Sequence, residues 1–172
     1  MTVQKKLNRA TDKRISILRG LVTSLFKYGK IETTEAKAKE VKNIAEKLIS
    51  IAIKEVDNIS SKEKKVSKAK IDSKGKKILK TVTSKNGKKY KVVDREEKML
   101  LSPVDSPSRL SARRNTIKWL FKTKDLQGKY IVDKLFDDIA PKYKGKNGGY
   151  TRIYRLGRRR GDAAEVVVLE LV

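Results

Sequence analysis

Three consecutive arginines, Arg158, Arg159 and Arg160, stand between two glycines near the end of the chain, in the sequence LGRRRGDAAE. A guanidinium group keeps its charge at physiological pH, and its fork of donors matches the oxygens of a phosphate. Strand-forming residues flank the arginines, at 150–156 and 165–172, so we expect a β-hairpin with a cationic tip. This segment can therefore bind anions; the alternative is a charged turn that stays in solvent.

Other basic residues extend this candidate surface over much of the chain. With the three arginines, the residues that we predict to contact a polyanion are Lys5, Lys6, Arg9, Lys13, Arg14, Arg19, Lys37, Arg113, Arg114, Lys142, Lys144, Lys146, Arg152 and Arg155. Those in the first fourteen residues belong to an arm that orders on binding, or else to a frayed tail. For the helical ones the alternative is a solvated face. Tyr150 and Tyr154 either pack in the sheet or stack on exposed bases.

The net charge of the chain points to the same kind of partner. The 172 residues include 44 lysines and arginines against 20 acidic residues, which gives +24. Residues 1–54, 55–108 and 109–172 contribute +8, +7 and +9, so no single tail accounts for the excess. Fold stability does not need such a charge, and self-repulsion opposes it. A polyanionic partner is the economical explanation.

The residue types that are missing narrow the function further. The chain has no cysteine and no histidine, which removes disulfides, thiolate nucleophiles, imidazole bases and the usual transition-metal sites. The acid pairs Asp137-Asp138 and Glu96-Glu97 are adjacent, so their carboxylates diverge. We therefore expect no enzyme activity, no cofactor and no metal. No apolar run approaches the roughly 20 residues that cross a bilayer, and no signal peptide is evident, so we expect a cytoplasmic protein.

Helical periodicity predicts the elements that position these groups. A first amphipathic helix begins with Thr11 as its cap and ends at Gly29. A second begins after Thr34 and buries residues at spacings of three and four, namely Ala38, Val41, Ala45, Leu48 and Ala52. A third is expected from a Ser108 cap to about Lys122, with Leu110, Ile117, Leu120 and Phe121 inward and Arg109, Arg113 and Arg114 on its flanks. A fourth spans 129–140 and ends at Pro141.

Composition divides the chain into three parts. Residues 1–10 form a basic arm, and 11–54 with 108–172 form one domain. The segment 55–107 is a lysine-rich insertion in which we expect no packed structure. Asn86-Gly87 between two β-prone runs is the exception, because it is a strong signal for a β-hairpin.

Several long motifs resemble one protein family. They are TSLFKYGKIETTEAKAKEV, AEKLI, FDDIAPKY, NGGYTRI and LGRRRGDAAEVVVLELV, and they resemble the bacterial large-subunit ribosomal protein family that is seventeenth in its series. The resemblance implies a two-layer α+β domain, with three to four helices packed on a small mixed sheet that includes the C-terminal hairpin. It also implies a flexible N-terminal arm, binding to large-subunit ribosomal RNA beside neighbouring ribosomal proteins, and no catalysis. The insertion is not part of the usual family pattern.

Two other functions are compatible with the composition. A nucleoid-type DNA-binding module would bind duplex DNA at physiological salt with the same affinity as ribosomal RNA. A peripheral membrane protein would place the lysine-rich insertion on anionic lipid, although the insertion lacks a clear amphipathic helix with large apolar anchors. Co-sedimentation with the large ribosomal subunit distinguishes both from a ribosomal protein.

Overall fold

The computed structural model describes residues 6–172, so the predicted site residue Lys5 lies outside the described residues. The chain divides into two compact units. One, which we call the scaffold, comprises the described residues up to Asn58 together with Asp105–Val172. The other, the insertion, is Ile59–Val104.

Helix α1 (Thr11–Tyr28) opens the scaffold and buries Leu18, Val22, Leu25 and Phe26. Its N-cap is Ala10, whose side chain makes no capping hydrogen bond. The predicted Thr11 cap is therefore wrong by one residue, and Thr11 is the first helical residue. The predicted end of the helix is confirmed: Gly29 takes the left-handed conformation (φ 80°) and donates its backbone N–H to the Leu25 carbonyl at 2.8 Å.

The Gly29→Ala variant should have a free energy of unfolding lower by about 1–2 kcal/mol, because an L side chain is strained at this φ. Gly20 supplies the matched control, since it lies within α1 and a Cβ there would meet only Phe121, at 3.8 Å. Gly20→Ala should leave stability unchanged or raise it by about 0.5–1 kcal/mol. Urea titration of both variants measures the difference, and an equal loss in both would contradict the cap assignment.

Strand β1 (Lys30–Thr34) leads directly into helix α2 (Glu35–Lys54), for which Thr34 is the N-cap without a side-chain hydrogen bond. All five residues of the predicted α2 stripe are buried, and Ile44 and Ile49 widen the stripe. Helix α2 contacts α1, helical segments that follow the insertion, and all three strands of the scaffold sheet. The wide apolar stripe of α2 accounts for this central position.

The insertion is built from two antiparallel ribbons. Strands β2 (Ile59–Ala69) and β5 (Arg95–Asp105) pair with each other. Between them, β3 (Leu79–Thr83) and β4 (Lys89–Val93) form a hairpin whose turn contains Gly87 with φ 73°. None of the residues from Ile59 to Val104 is buried. We did not expect β2 and β5, because strands exposed on both faces lack the alternation of apolar and polar residues that reveals a strand.

Three backbone hydrogen bonds join the two ribbons of the insertion where the end of β2, the start of β3 and the residue between β4 and β5 meet. The N–H of Lys70 donates to the Asp94 carbonyl at 2.9 Å, that of Ile78 to the Lys70 carbonyl at 3.0 Å, and that of Asp94 to the Ile78 carbonyl at 2.8 Å. The ammonium of Lys70 also lies 2.9 Å from a carboxylate oxygen of Asp94. That hydrogen bond raises the pKa of Lys70 and lowers that of Asp94.

Helix α3 (Pro107–Ile117) begins two residues earlier than expected. Its cap is Ser106, whose Oγ accepts from the backbone N–H of Arg109 at 3.4 Å, while Ser108 hydrogen-bonds Glu55. The predicted inward face is wrong: Arg109, Ala112 and Thr116 are buried, whereas Leu110, Ile117 and Phe121 are exposed at 40%, 53% and 36%. The helix also ends at Ile117 rather than near Lys122. Leu120, as predicted, is buried, from the segment that follows the helix.

Helix α4 is composite: an α-helical turn, Ile131–Lys134, runs into a π-helical turn, Leu135–Ile139, and then into Ala140–Lys142. Its buried side chains include Ile131, Leu135, Phe136 and Ile139, as predicted. Pro141 does not end this run. It lies in the first turn of the last segment, where a residue without a backbone N–H is tolerated.

The scaffold sheet has the order β1–β7–β6, with β6 (Thr151–Arg158) and β7 (Glu165–Leu171) forming the predicted terminal hairpin. Both pairings are antiparallel, so the expectation of a mixed sheet is wrong. Parallel neighbours require a long crossover, whereas β7 follows β6 through a tight turn. Val167 and Leu169 of β7 join the helical side chains in one hydrophobic core, and the predicted two-layer α+β class is confirmed.

Candidate nucleic-acid interface

The tip of the terminal hairpin is shaped by a bulge and a tight turn. The register of β6 on β7 shifts between Arg155 and Gly157, and Gly157 has φ 114°, a value suited to glycine. Arg158 ends the strand, and Arg159 and Arg160 follow in the turn. All three arginine side chains are exposed. The sequence therefore places a short cationic tip at the end of a two-stranded ribbon.

Arg159 differs from its two neighbours because it binds Asp162. Its Nε and Nη2 donate to the two carboxylate oxygens of Asp162 at 2.9 and 2.6 Å. The backbone N–H of Ala164 donates to the same carboxylate at 3.2 Å. The hydrogen bond from Arg159, followed by that from Ala164, lowers the pKa of Asp162 to about 2 and raises that of Arg159. Arg159 thus closes the tip, while Arg158 and Arg160 form no ion pair among the described residues.

The carboxyl group of Asp162 should titrate near pH 2 rather than near its ordinary 3.8. Because the folded-state pKa is depressed, the stabilisation that the pair gives the tip is fully present above about 3.8 and is lost as pH falls through about 2. NMR titration of the Asp162 side-chain carbonyl carbon measures this pKa. The Arg159→Ala variant is the control and should return the pKa toward 3.8; a midpoint near 3.8 in the unmodified protein would show that the pair is absent.

The hairpin places the predicted residues Arg155 and Arg159 beside the start of α2, which carries the predicted residue Lys37. Lys37 and Arg159 line the same surface groove of about 300 Å³, together with Glu32 and Val166. Arg155 donates from Nη2 to Glu35 Oε1 at 3.3 Å, and Lys39 Nζ lies 2.9 Å from the same oxygen. The hydrogen bond from Lys39 is the main cause that lowers the pKa of Glu35 to about 2. This edge of the scaffold is cationic, but Glu35 and Asp162 neutralise part of its charge.

The predicted arm residues that the structure describes are open to solvent. Lys6, Arg9 and Lys13 are exposed, and Arg14 is half-buried in the first turn of α1. Within this predicted arm, Leu7 packs against the hydrophobic core. This contact could not be predicted, because an isolated leucine is not part of any periodic apolar pattern. Leu7 thus holds its segment against the core, while the side chains of Lys6, Arg9 and Lys13 remain exposed.

A second basic region surrounds an apolar groove on the helices. The groove has a volume of about 730 Å³, and its walls include Leu110, Ile117 and Phe121. Arg19 lies over the Phe121 ring at 4.6 Å and donates to the Leu120 carbonyl at 3.4 Å. The predicted residues Arg113 and Arg114 also line the groove, as does Lys122, which the sequence did not single out. Arg19 comes from α1, whereas the other named residues lie between positions 110 and 122, so only the contact of Arg19 with this segment had no local signal.

Arg113 is engaged in a structural network, and Arg114 is not. The Nη1 of Arg113 donates to Asp133 at 2.7 Å, and its Nε lies 2.9 Å from Asp105. Arg114 is exposed and forms no ion pair within the described chain. Of the two, Arg114 has the guanidinium that remains available to an outside anion.

Three predicted lysines, all exposed, lie at the end of α4 and in the loop before β6. Lys144 pairs with Asp57 at 2.7 Å, and the ammonium of Lys146 lies 5.6 Å from the centre of the Tyr143 ring. Lys142 has no such partner among the residues described. Tyr150 is buried, and its hydroxyl donates to the Lys146 carbonyl at 2.9 Å. It therefore anchors this loop, in agreement with the packing alternative, whereas the side chain of Tyr154 is 44% exposed.

Taken together, the predicted residues form several separate cationic areas on the scaffold. Those that form no ion pair within the described part of the chain are Lys6, Arg9, Lys13, Arg14, Arg19, Lys37, Arg114, Lys142, Lys146, Arg152, Arg158 and Arg160. No group of three or more acidic side chains suited to a metal ion occurs in residues 6–172. Within the same residues, no helix combines the length and apolar character needed to span a membrane. These unpaired cationic side chains can bind anions at several separate areas of the scaffold surface.

Comparison with known proteins identifies the family. The sequence profile described as "Ribosomal protein L17" matches residues 17–172. The chain is 62% identical to "Large ribosomal subunit protein bL17" of Acetivibrio thermocellus and 64% identical to that of Ruminiclostridium cellulolyticum, in both cases over 174 residues and the full length of both chains. A third relative with the same description, from Lachnospira eligens, is 44% identical over 183 residues. The chain belongs to the ribosomal protein L17 family.

Proposed function

We propose that this protein is a structural constituent of the large ribosomal subunit in the cytoplasm and that it binds large-subunit ribosomal RNA. The observation that carries the proposal is the similarity to three relatives described as large ribosomal subunit proteins, over the whole length of both chains in each case. The predicted resemblance to this family is thereby confirmed. The relatives of this chain are ribosomal proteins and not enzymes. The chain itself has no cysteine or histidine for catalysis.

The way in which the RNA is bound is the finer part of the proposal. Free cationic side chains on the arm, the helices, the loop and the hairpin tip would each contact phosphate oxygens. Phosphate contacts fix position and orientation without reading base sequence, so recognition would rest on the shape of folded RNA. The charge of +24 supports this mode, because neutralised phosphates release counterions and drive binding.

Neighbouring proteins of the large subunit are the second class of partner that we propose. The groove lined by Leu110, Ile117 and Phe121 exposes apolar side chains that water solvates poorly. Neither a small-molecule substrate nor a membrane surface is part of the proposal.

Sucrose-gradient sedimentation of a lysate tests the proposal. The full chain, carrying a small C-terminal epitope tag, should sediment with the large-subunit peak and with assembled ribosomes. A wash at high salt should release it, because phosphate contacts weaken steeply with salt. Recovery at the top of the gradient, or with the nucleoid fraction, would overturn the proposal and favour the DNA-binding alternative.

A further inference from the structure

The charge of the insertion is concentrated in its central part. The insertion carries 15 basic and 5 acidic side chains, a net charge of +10. Residues 59–72 and 94–104, which contain most of β2 and β5, have seven basic and five acidic residues. Residues 73–93 have eight lysines and no acidic residue. We call the first part the stalk, with a net charge of +2, and the second the head, with a net charge of +8.

The paired strands of the stalk separate the head from the ends of the insertion. Strands β2 and β5 have 11 residues each, which corresponds to roughly 36 Å at ~3.3 Å per residue. The head contains the β3–β4 hairpin and, from Ser73 onward, a shorter turn that the Ile71–Lys77 bridge closes; Ile71 and Asp72 of this turn are counted with the stalk. Both project from the point where Lys70, Ile78 and Asp94 exchange backbone hydrogen bonds. The lysines of the head therefore lie at the far end of an extended ribbon.

The head lysines lack acidic partners. The ion pairs within the insertion are Lys70 and Lys80 with Asp94, and Lys98 with Glu96. Seven of the eight head lysines thus form no ion pair with any described residue. Two-stranded ribbons without a buried core are at best marginally stable, and like charges reduce that stability further. An external polyanion removes this repulsion, so its binding also stabilises the head.

RNA fits this surface better than an acidic protein does. The β3–β4 hairpin carries Lys89 and Lys91 on either side of Tyr90, whose side chain is 50% exposed. Paired strands place Tyr90 opposite Val82, so the aromatic ring lies on one face while its two lysine neighbours point to the other. The ring can therefore stack on a base at one face of the hairpin, and Lys89 and Lys91 can contact phosphates at the other.

We propose that the head, residues 73–93, is a second RNA-binding module that contacts ribosomal RNA independently of the scaffold. The inference rests on the proposed function, because it assumes that ribosomal RNA is within reach. It assigns a role to a segment that the family resemblance left without one. The segment lies within the regions aligned to the two relatives from Acetivibrio and Ruminiclostridium, whose matches cover the whole chain.

Salt-dependent binding of the full chain to naked large-subunit ribosomal RNA tests the head. The head variant replaces four lysines by glutamine: Lys85, Lys88, Lys89 and Lys91. The matched control makes the same change of charge in the stalk, at Lys62, Lys64, Lys65 and Lys68. Each lost phosphate contact lowers the slope of log affinity against log salt by about 0.7–0.9. The head variant should therefore lose about three units of slope, and the stalk variant less than one.

Two further measurements separate RNA contact from a general effect of charge. Replacing the same four head lysines by arginine should preserve the slope, because charge and phosphate contact are retained. In assembled subunits, hydroxyl-radical footprinting should show one RNA region whose protection is lost in the head variant alone.

Equal loss of slope in the head and stalk variants, or an unchanged slope in the head variant, would overturn the inference. If the unmodified protein sediments with the large subunit while the head variant keeps its slope, only this inference fails. If the unmodified protein does not sediment with the subunit, the proposed function fails.

Discussion

Replacing Arg109 by leucine should lower the free energy of unfolding by about 3–5 kcal/mol, the range expected when one partner of a buried ion pair is removed. Arg109 is 3% exposed. Its Nη1 donates to the carbonyls of Glu55 and Val56 at 2.8 and 2.9 Å. Its Nε lies 2.8 Å from Asp105, and its Nη2 donates to Asp137 at 3.2 Å. Leucine would remove this donor from the two carbonyls and leave Asp105 and Asp137 with only Arg113 and Lys129 as cationic partners.

The position of Arg109 explains why so many acceptors depend on it. It joins the end of the segment before the insertion, the residue that follows the insertion, and helix α4. The guanidinium also lies 5.5 Å from the centre of the buried Phe136 ring. Together with the hydrogen bonds of Ser108 to Glu55 and of Ser106 to Asn58, Arg109 therefore joins the two parts of the scaffold on either side of the 46-residue insertion.

Arg114→Leu is the matched control for this prediction. It makes the same substitution on the same helix at an exposed residue without an ion pair, so stability should change by less than about 0.5 kcal/mol. Urea unfolding of the full chain, followed by the fluorescence of its single tryptophan, measures both variants. That residue, Trp119, packs against the core and reports on scaffold unfolding. Similar midpoints for the two variants would show that the Arg109 network contributes little.

Replacing Arg158 and Arg160 together by alanine should flatten the salt dependence of ribosomal RNA binding by about 1.5 units of log-log slope. Each is exposed and lacks an acidic partner among the described residues, so each can neutralise a phosphate. Adding Arg159→Ala to the pair should change the slope much less. Its guanidinium is occupied by Asp162, and a phosphate would have to compete with that carboxylate.

The comparison of the double and triple variants distinguishes this explanation from one based on charge alone. If charge number decided binding, each of the three arginines would contribute equally. Asp162→Asn provides the reciprocal control, because it releases the Arg159 guanidinium and should steepen the slope by somewhat less than one unit. A double variant with the slope of the unmodified protein would exclude the hairpin tip from the interface.

Much of the fold could be predicted because its signals are local. The apolar spacing of α2 and the glycine that ends α1 each lie within a few turns of helix. The two strand-forming runs around the arginines likewise determine the terminal hairpin through a short connection. The family motifs are contiguous, and both the α+β class and the family membership that they predicted are confirmed.

Other features depended on contacts between distant residues. Local sequence placed Arg109 on a helix flank, because an arginine is rarely buried without several acceptors. Those acceptors come from residues 55, 56, 105 and 137. In the same way, packing against the rest of the scaffold buries Arg109, Ala112 and Thr116 of α3, while Leu110 and Ile117 form walls of a groove.

The amino-acid sequence by itself determined the charge, the exclusion of thiol and imidazole chemistry, the main helices and the cationic hairpin, since composition and short-range periodicity suffice for these. Only the tertiary structure decided which cations are free. Asp162 occupies Arg159, Asp105 and Asp133 occupy Arg113, and Arg109 lies inside the scaffold. An ion pair depends on separations of a few ångströms between side chains, and for most of these residues the fold, not the sequence order, sets that separation.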